Sequence, residues 1–317
     1  MSRGLAVVIP NFNGAAVLPR CLAAVSAQTV APAEVVVVDN GSADGSADAA
    51  ERDFPGVRVL RVGSNSGFGA AANLGVRAVS APLVAVLNSD ARPVPGWCAA
   101  MTAFDVPGAW SWGGVLVSPD GLVESAGDCY SVAGFAYKHA QGAPLARLPQ
   151  EPFEVFAPPG AAPVFRREVL LDLGGYDARY FLYLEDIDLA FRARSRGHTS
   201  WVLPGAEVEH DLGASGTSAV ATWHIARNTL WCQVSNAPAL APRMLLATTR
   251  QQLARARAEG NAGPYLRGRA AAVTALPRLV RHRRAERRAR TISDDALLRA
   301  CNLPGALEPS GPTHSDG

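Results

Sequence analysis

Residues 34–46 read EVVVVDNGSADGS: four consecutive valines, Val35 to Val38, closed by Asp39-Asn40-Gly41. A β-branched run without polar alternation predicts a short strand covered on both faces, the kind found in parallel sheets layered between helices. The pattern recurs on both sides of this stretch. Residues 5–9 form an apolar run ended by Pro10-Asn11, and residues 83–87 form another ended by Asn88-Ser89-Asp90. Residues 57–62 alternate and then meet Gly63. Between these runs Leu18, Cys21, Leu22 and Val25 follow helical spacing, and Ala72, Leu74, Val76 and Val79 follow it loosely. Strand, helix, strand, helix predicts an α/β layered domain with right-handed crossovers.

Further along, residues 110–117 read as a strand and Ser118-Pro119-Asp120-Gly121 as a tight turn. Residues 141–159 are proline-rich and read as a loop. Residues 164–173 and 185–196 read as helices, and 201–203 and 207–209 as short strands. From about residue 230 the pattern is helical only. Within it, residues 264–290 combine Leu266, Val273, Leu276 and Val280 with dense arginine, and Pro277 divides the segment. The expected organisation is a domain over 1–228, a helical arginine-rich extension over 229–302 and a disordered tail over 303–317.

The 317 residues are 48% hydrophobic, enough for a sizeable core, and the formal net charge of +2 makes no case for nucleic acid as a partner. The five cysteines form no C-x-x-C pair and their number is odd, which argues against a zinc site or disulfide framework and fits a reducing cytoplasm. The N-terminal apolar stretch, stopped by Pro10, is too short for a signal-peptide core. No run approaches the roughly 18 apolar residues of a spanning helix. A cytoplasmic protein, soluble or peripheral on the inner face of the membrane, is expected.

Ligands of open parallel sheets bind at the carboxyl ends of the strands. The polar residues there are Asn11, Asn13, Asp39, Asn40, Asn65, Asn88 and Asp90. Asn, Asp and Gly also simply make turns, but four strand ends of one character point to a nucleotide site.

The segments VVIPNFNG (7–14), EVVVVDNGSADGS (34–46), NSGFGAAANLGVRA (65–78), VAVLNSDARPVPGW (84–97), LLDLGGYDARYFLYLEDIDLAFRARSRGH (170–198) and VEHDLGASG (208–216) occur in this order. In sequence and spacing the chain resembles the family 2 glycosyltransferases, most of all the bacterial branch that includes rhamnosyltransferases of cell-wall and polysaccharide synthesis. The resemblance implies a GT-A nucleotide-sugar-binding domain with a mostly parallel central sheet, followed here by the C-terminal helical extension. It implies an inverting, metal-dependent transfer from a UDP- or dTDP-sugar, dTDP-rhamnose among the candidates, to a hydroxyl of a glycan or lipid-linked acceptor.

The resemblance also distributes roles. Pro10, Asn11, Asn13, Asp39, Asn40, Asn65, Asn73 and Asn88 fall to the donor, with Asp39 suited to accept from the imide N–H of uracil or thymine. Asp44 serves either the turn or a ribose hydroxyl. Asn88-Ser89-Asp90 stands where relatives carry Asp-x-Asp, so Asp90 becomes the main carboxylate on Mg2+ or Mn2+, ions that prefer hard oxygen ligands. Asn88 touches ribose or the ion. His210 corresponds to a metal-ligating histidine. Asp186 aligns with the catalytic base, and Glu185 orients it or binds the acceptor; a direct displacement needs one base and no enzyme nucleophile. Asp188 is expected to pair with Arg192 at i+4. Arg227 neutralises diphosphate or is a helix-surface arginine. The segment 264–290 is either a solvated charged helix or a peripheral helix on an anionic membrane surface. Two other functions compete. A nucleotidyltransferase needs a Gly-rich, Lys/Arg-bearing loop after the first strand, which PNFNGAAVLPR lacks. A catalytically inactive nucleotide-sugar-binding or membrane scaffold protein would lose Asp186, Asp90 or His210, and all three are present.

Overall fold

The computed structural model describes residues 4–131, 134–211, 218–237 and 242–303. Its first part alternates as the sequence predicts: β1 (Leu5–Asn11), α1 (Leu18–Ser26), β2 (Glu34–Asp39), α2 (Ser46–Asp53), β3 (Arg58–Arg61), α3 (Phe68–Ala78) and β4 (Leu83–Val86). β1 pairs in parallel with both β2 and β4, and β2 with β3. The runs lack polar alternation because helices cover both faces. Leu5, Val7 and Ile9 pack in one core with Leu18, Leu22 and Trp97, while Ala6 and Val8 pack in another with Ala72, Val76 and Leu189. α3 lies so close to β1 that a Cβ at Gly75 would come within 2.2 Å of Val8 Cγ1, so only glycine fits there.

The middle of the chain adds β5 (Ala91–Pro93), α4 (Trp97–Ala103), β6 (Ala109–Val117), β7 (Val123–Ser125), β8 (Asp128–Tyr130), β9 (Ala136–Lys138), β10 (Phe153–Val155), β11 (Val164–Arg166), α5 (Arg167–Asp172), α6 (Glu185–Ser195) and β12 (Thr199–His210). The main sheet runs β10–β12–β6–β11–β4–β1–β2–β3. The parallel character expected of it holds for β3–β2–β1–β4 and for β6–β12. The short strands β5, β7, β10 and β11 enter antiparallel.

Three sequence expectations need correction. Residues 164–173 are not one helix: Val164 and Phe165 fill the sheet between β4 and β6, and helix begins only at Arg167. Ladder pairing across that gap outweighs the local helical pattern. Residues 201–203 and 207–209 are one strand, β12, whose register against β6 shifts between Leu203 and Val208. The proline-rich loop of 141–159 contains β10.

The C-terminal helices are α7 (Ala219–Asn236), α8 (Pro242–Ala258), α9 (Ala262–Thr274), α10 (Leu276–Ala289) and α11 (Asp294–Cys301). The boundary drawn at 228 falls inside α7. Pro277 sits in the first turn of α10, where its missing N–H costs nothing, and divides α9 from α10. Apart from Leu303, the segment expected as a tail lies outside the described residues. No described helix is long and apolar enough to cross a membrane. The extension shares a core with α6: Trp231, Cys232, Ala272, Leu279 and Leu297 pack with Phe156, Ile187 and Phe191.

A buried ion pair ties these parts together. Arg192 Nε donates to Asp188 Oδ2 at 2.9 Å, as the i+4 spacing predicts, with both side chains out of solvent. The other guanidinium nitrogens donate to the carbonyls of Leu173 and Gly175. Asp188 Oδ1 accepts from Tyr180 Oη and from Asn236 Nδ2 on α7. Removing one member leaves a buried charge without its counterpart. Asp188→Ala is therefore expected to destabilise the protein by on the order of 3–5 kcal/mol, read as a drop in the urea midpoint. A loss below about 1 kcal/mol, the worth of an exposed pair, would contradict this account.

Candidate active site

The parallel strands deliver their polar ends to one edge of the sheet, and hydrogen bonds fix most of those side chains. Asn11, at the end of β1, is buried and donates through Nδ2 to Ser46 Oγ at 2.9 Å; its Oδ1 has no hydrogen-bond partner among the described residues. Pro10 pairs in register with Val38. Asn13 takes a positive φ and accepts from Ala43 N–H. Asp39, at the end of β2, is buried and accepts from Ser42 N–H through Oδ1. Asn40 clasps the next loop: its Oδ1 accepts from Ser66 and its Nδ2 donates to Asn65 Oδ1 and the Gly67 carbonyl. Asn73 instead both donates to and accepts from the backbone of Tyr176, anchoring α3 to the segment before α6. Asp44 serves its turn, accepting from Ala15 N–H and from Ser46.

Asn88 and Asp90 follow β4. Asn88 Oδ1 is buried without a partner among the described residues. Asp90 Oδ1 forms an ion-pair contact of 3.2 Å with His210 Nε2, while His210 Nδ1 sits 2.8 Å from Glu124 Oε2. β12 reaches this point by pairing with β5, His210 opposite Ala91. Glu124 is buried and also takes Lys138 Nζ at 2.6 Å. Burial alone would lower the His210 pKa, but the Asp90 and Glu124 carboxylates outweigh it and push it up to about 9. Among the described residues no three His, Cys, Asp or Glu side chains enclose an ion site. Asp90 and His210 still offer oxygen and nitrogen donors of the sort a divalent ion shares with a phosphate ligand, and Asn88, two residues before Asp90, keeps an Oδ1 without a partner among the described residues. The Glu124 contact to Nδ1 would orient the imidazole toward such an ion.

Glu185 and Asp186 begin α6. Three non-glycine residues just before it, Phe181, Tyr183 and Leu184, take positive φ, a strained backbone of the kind that persists where its surroundings impose it. Asn228 imposes it here: its Nδ2 donates to the carbonyls of Tyr180, Leu182 and Tyr183. Asp186 Oδ1 accepts from Ile187 N–H at 2.7 Å. A Cβ at Gly160 would lie 2.6 Å from Asp186 Oδ2, and the next carbonyl, of Ala161, accepts from Asn88 N–H. The carboxylate therefore stands across Gly160 from the end of β4. Asp186 also lines a cleft of about 410 Å³, together with Asp128, Tyr137, Lys138, Leu184 and Arg255 among others.

Burial raises the pKa of Asp186 against the opposing Ile187 N–H and Lys138 charge. Burial and the Asp186 charge likewise raise Glu185 and Asp128. Carboxyl groups so perturbed in a cleft are candidates for proton transfer. Glu124, Asp128 and Lys138, which no motif of the sequence singles out, join the site. The turn at Ser118–Gly121 is the signal the sequence offers, because a hairpin there sends β7 back along the edge of β6 opposite β12, from where Glu124 reaches His210.

Arg227 does not join the strand ends. Its Nη2 donates to the Tyr180 carbonyl at 2.6 Å, and its guanidinium lies over the rings of Trp223 and Trp231. It lines a separate groove that contains none of the strand-end residues. Gly213 and Ser215, in the segment after His210, lie outside the described residues.

The sequence profile of "Glycosyl transferase family 2" matches residues 6–106. An N-acetylglucosaminyl-diphospho-decaprenol L-rhamnosyltransferase of Mycobacterium tuberculosis is 32% identical over 255 residues, 71% of this chain and 82% of that protein. A pre-mycofactocin glycosyltransferase of the same species is 32% identical over 222 residues, 66% of this chain and 43% of that one. Among solved structures, a mannosyltransferase from Pyrobaculum calidifontis in complex with GDP-Man and Mn2+ aligns with a TM-score of 0.57 at 20% identity, covering 96% of this chain and 87% of its own. That likeness establishes a shared fold.

The raised pKa values have a consequence for stability. His210, Asp128, Glu185 and Asp186 all hold protons more tightly in the folded state than in the unfolded one. Each contribution is complete below the group's ordinary value and is lost as pH rises through the folded one. For His210 that window runs from 6.5 to about 9. Chelator-treated protein should therefore lose stability across this range, measured by urea denaturation, and Asp128→Asn should make the slope shallower. A rise in stability toward pH 9 would refute the assignment.

Proposed function

The chain belongs to glycosyl transferase family 2 and is a glycosyltransferase, and from that premise we propose that it inverts configuration as it moves a sugar from a UDP- or dTDP-sugar, dTDP-rhamnose foremost, to a hydroxyl of a lipid-linked acceptor with Mg2+ or Mn2+ present. One observation carries this reading. The Asp186 carboxylate accepts from Ile187 N–H at the start of its own helix, closely approaches Gly160, whose neighbour Ala161 pairs with the backbone of Asn88, and lines an open cleft. A sugar held at the strand ends and an alcohol held in the cleft would meet at this base.

Asp39, buried at the end of β2 with Oδ1 on Ser42 N–H, has its second oxygen to accept from a pyrimidine imide. Asp90 and His210, with Asn88 beside them, would hold the ion, which when bound offsets charge on the departing diphosphate. Asp186 takes the acceptor's proton as the acceptor oxygen attacks the anomeric carbon from the face opposite the diphosphate. Lys138 favours the Asp186 carboxylate over its acid form. The choice of dTDP-rhamnose and of a polyprenyl-diphosphate acceptor rests on the rhamnosyltransferase relative. Cytoplasmic residence at the inner face of the membrane would follow from such an acceptor. The exposed Leu266, Val273 and Val280 on the arginine-rich helices suit that surface.

Asp186→Asn keeps the shape of the side chain but cannot take a proton. Turnover should fall by roughly a hundred- to ten-thousand-fold, while donor affinity measured by calorimetry stays near that of the parent. Near-full turnover would move the base elsewhere, to Glu185 first.

The ion is tested separately. Asp90→Ala and His210→Ala should each weaken manganese-dependent donor binding, and excess chelator should stop transfer. Full activity in chelator would exclude the ion from the reaction.

A further inference from the structure

On the opposite side of α7 from the cleft lies a groove of about 420 Å³ between α7, α9 and α10. Its charge is unusual. Arg227, Arg278 and Arg281 line it together with Trp223 and Trp231, and no carboxylate lines it. None of the three arginines is in an ion pair among the described residues, although many other arginines of the chain are. Arg278 lies 5.4 Å from the Trp231 ring centroid and Arg227 4.5 Å from the same centroid, so the two guanidiniums share one aromatic platform. Burial, with the Arg278 charge added, makes the Arg227 proton easier to lose than usual. Like charges gathered over an apolar floor repel one another unless an anion enters.

We propose that this groove is a binding site for a phosphate or diphosphate group. The exposed guanidiniums of Arg278 and Arg281 present forked donors that match phosphate oxygens, while Arg227, whose Nε and Nη2 are held by Asn228 Oδ1 and the Tyr180 carbonyl, adds its positive charge from the floor of the groove. The site lies apart from the transfer chemistry. Trp223, Arg227 and Trp231 stand at i, i+4 and i+8 on one stripe of α7, whereas Ile225 and Thr229 of the same helix line the cleft beside Asp186. It sharpens the membrane reading offered above, since exposed Val273 and Val280 adjoin the lining residues Thr274 and Arg281 in sequence. An esterified phosphate could then sit in the groove with its lipid chains beside those two valines.

The test uses the full chain. Truncating near residue 263 is unsuitable, because Ala272, Leu279 and Leu297 belong to the core shared with α6. Arg278→Gln/Arg281→Gln is compared with Arg284→Gln/Arg288→Gln, which removes the same charge from exposed positions of α10 outside the groove. Inorganic pyrophosphate is titrated calorimetrically in chelator, and thermal melts and nucleotide affinity check that each variant is folded. The expected result is pyrophosphate binding by the parent and by the Arg284/Arg288 variant, weakened tenfold or more in the Arg278/Arg281 variant. Equal weakening in both variants, or in neither, overturns the proposal. Vesicles of phosphatidic acid in phosphatidylcholine, set against phosphatidylcholine alone, then identify the source. Displacement of pyrophosphate by the anionic vesicles assigns the groove to a lipid headgroup; unchanged binding assigns it to a soluble or acceptor-borne phosphate. The site stands in either case. Nucleotide affinity that is normal throughout keeps a failure here distinct from a failure of the glycosyl-transfer reading.

Discussion

The buried Asp188–Arg192 pair is the constraint on which the rest of this structure depends. A charge withdrawn from water must be matched in place, and here both partners are matched on every side. Arg192 holds the carbonyls of Leu173 and Gly175, while Asp188 holds Tyr180 and the Asn236 amide of α7. One pair thus fixes the position of α6, the loop that feeds it and the first helix of the extension. The N-terminus of α6, with Glu185 and Asp186, has little freedom left. Asn228 completes the arrangement by pinning the strained turn at Phe181–Leu184.

The site balances its charges from two directions. On the strand side, Asp90 and Glu124 bracket His210. On the base side, Asp128, Glu185 and Asp186 crowd one another in a buried setting that favours their protonated forms. Lys138 stands between, bonded to Glu124 and lining the same cleft as Asp128 and Asp186. Crowded carboxyls are costly for stability, and such cost is commonly concentrated where a protein does chemistry. Gly160 makes the crowding feasible by leaving room for the Asp186 carboxylate.

The helical extension contributes more than a tether would. Its apolar residues complete a core begun by Phe156 and Phe191, and α8 supplies Gln251, Gln252 and Arg255 to the wall of the cleft. Meanwhile Leu266, Val273 and Val280 remain exposed on the arginine-rich helices. One set of helices therefore stabilises the site from one side and presents a cationic, partly apolar surface on the other.

The sequence by itself determined the layered α/β half of the molecule. Continuous apolar runs at 5–9, 35–38 and 83–87 admit few structures other than strands covered on both faces, and polar residues at their ends mark the ligand edge. Through the segments that resemble the family it also singled out Asp90, Asp186 and His210 as candidates. Tertiary structure decided what depends on partners distant in the chain. Val164 and Phe165 are strand because β4 and β6 leave a gap that only a ladder can fill. Glu124 and Lys138 enter the site because hairpins fold them back toward His210, some 70 to 90 positions along the chain. Arg227 is within one residue of Asn228, yet the pitch of α7 turns one toward the aromatic groove and the other into the core. Local pattern encodes periodicity and turns; which charge meets which is settled by packing, since Coulomb and hydrogen-bond partners are fixed by distance in space and not in sequence.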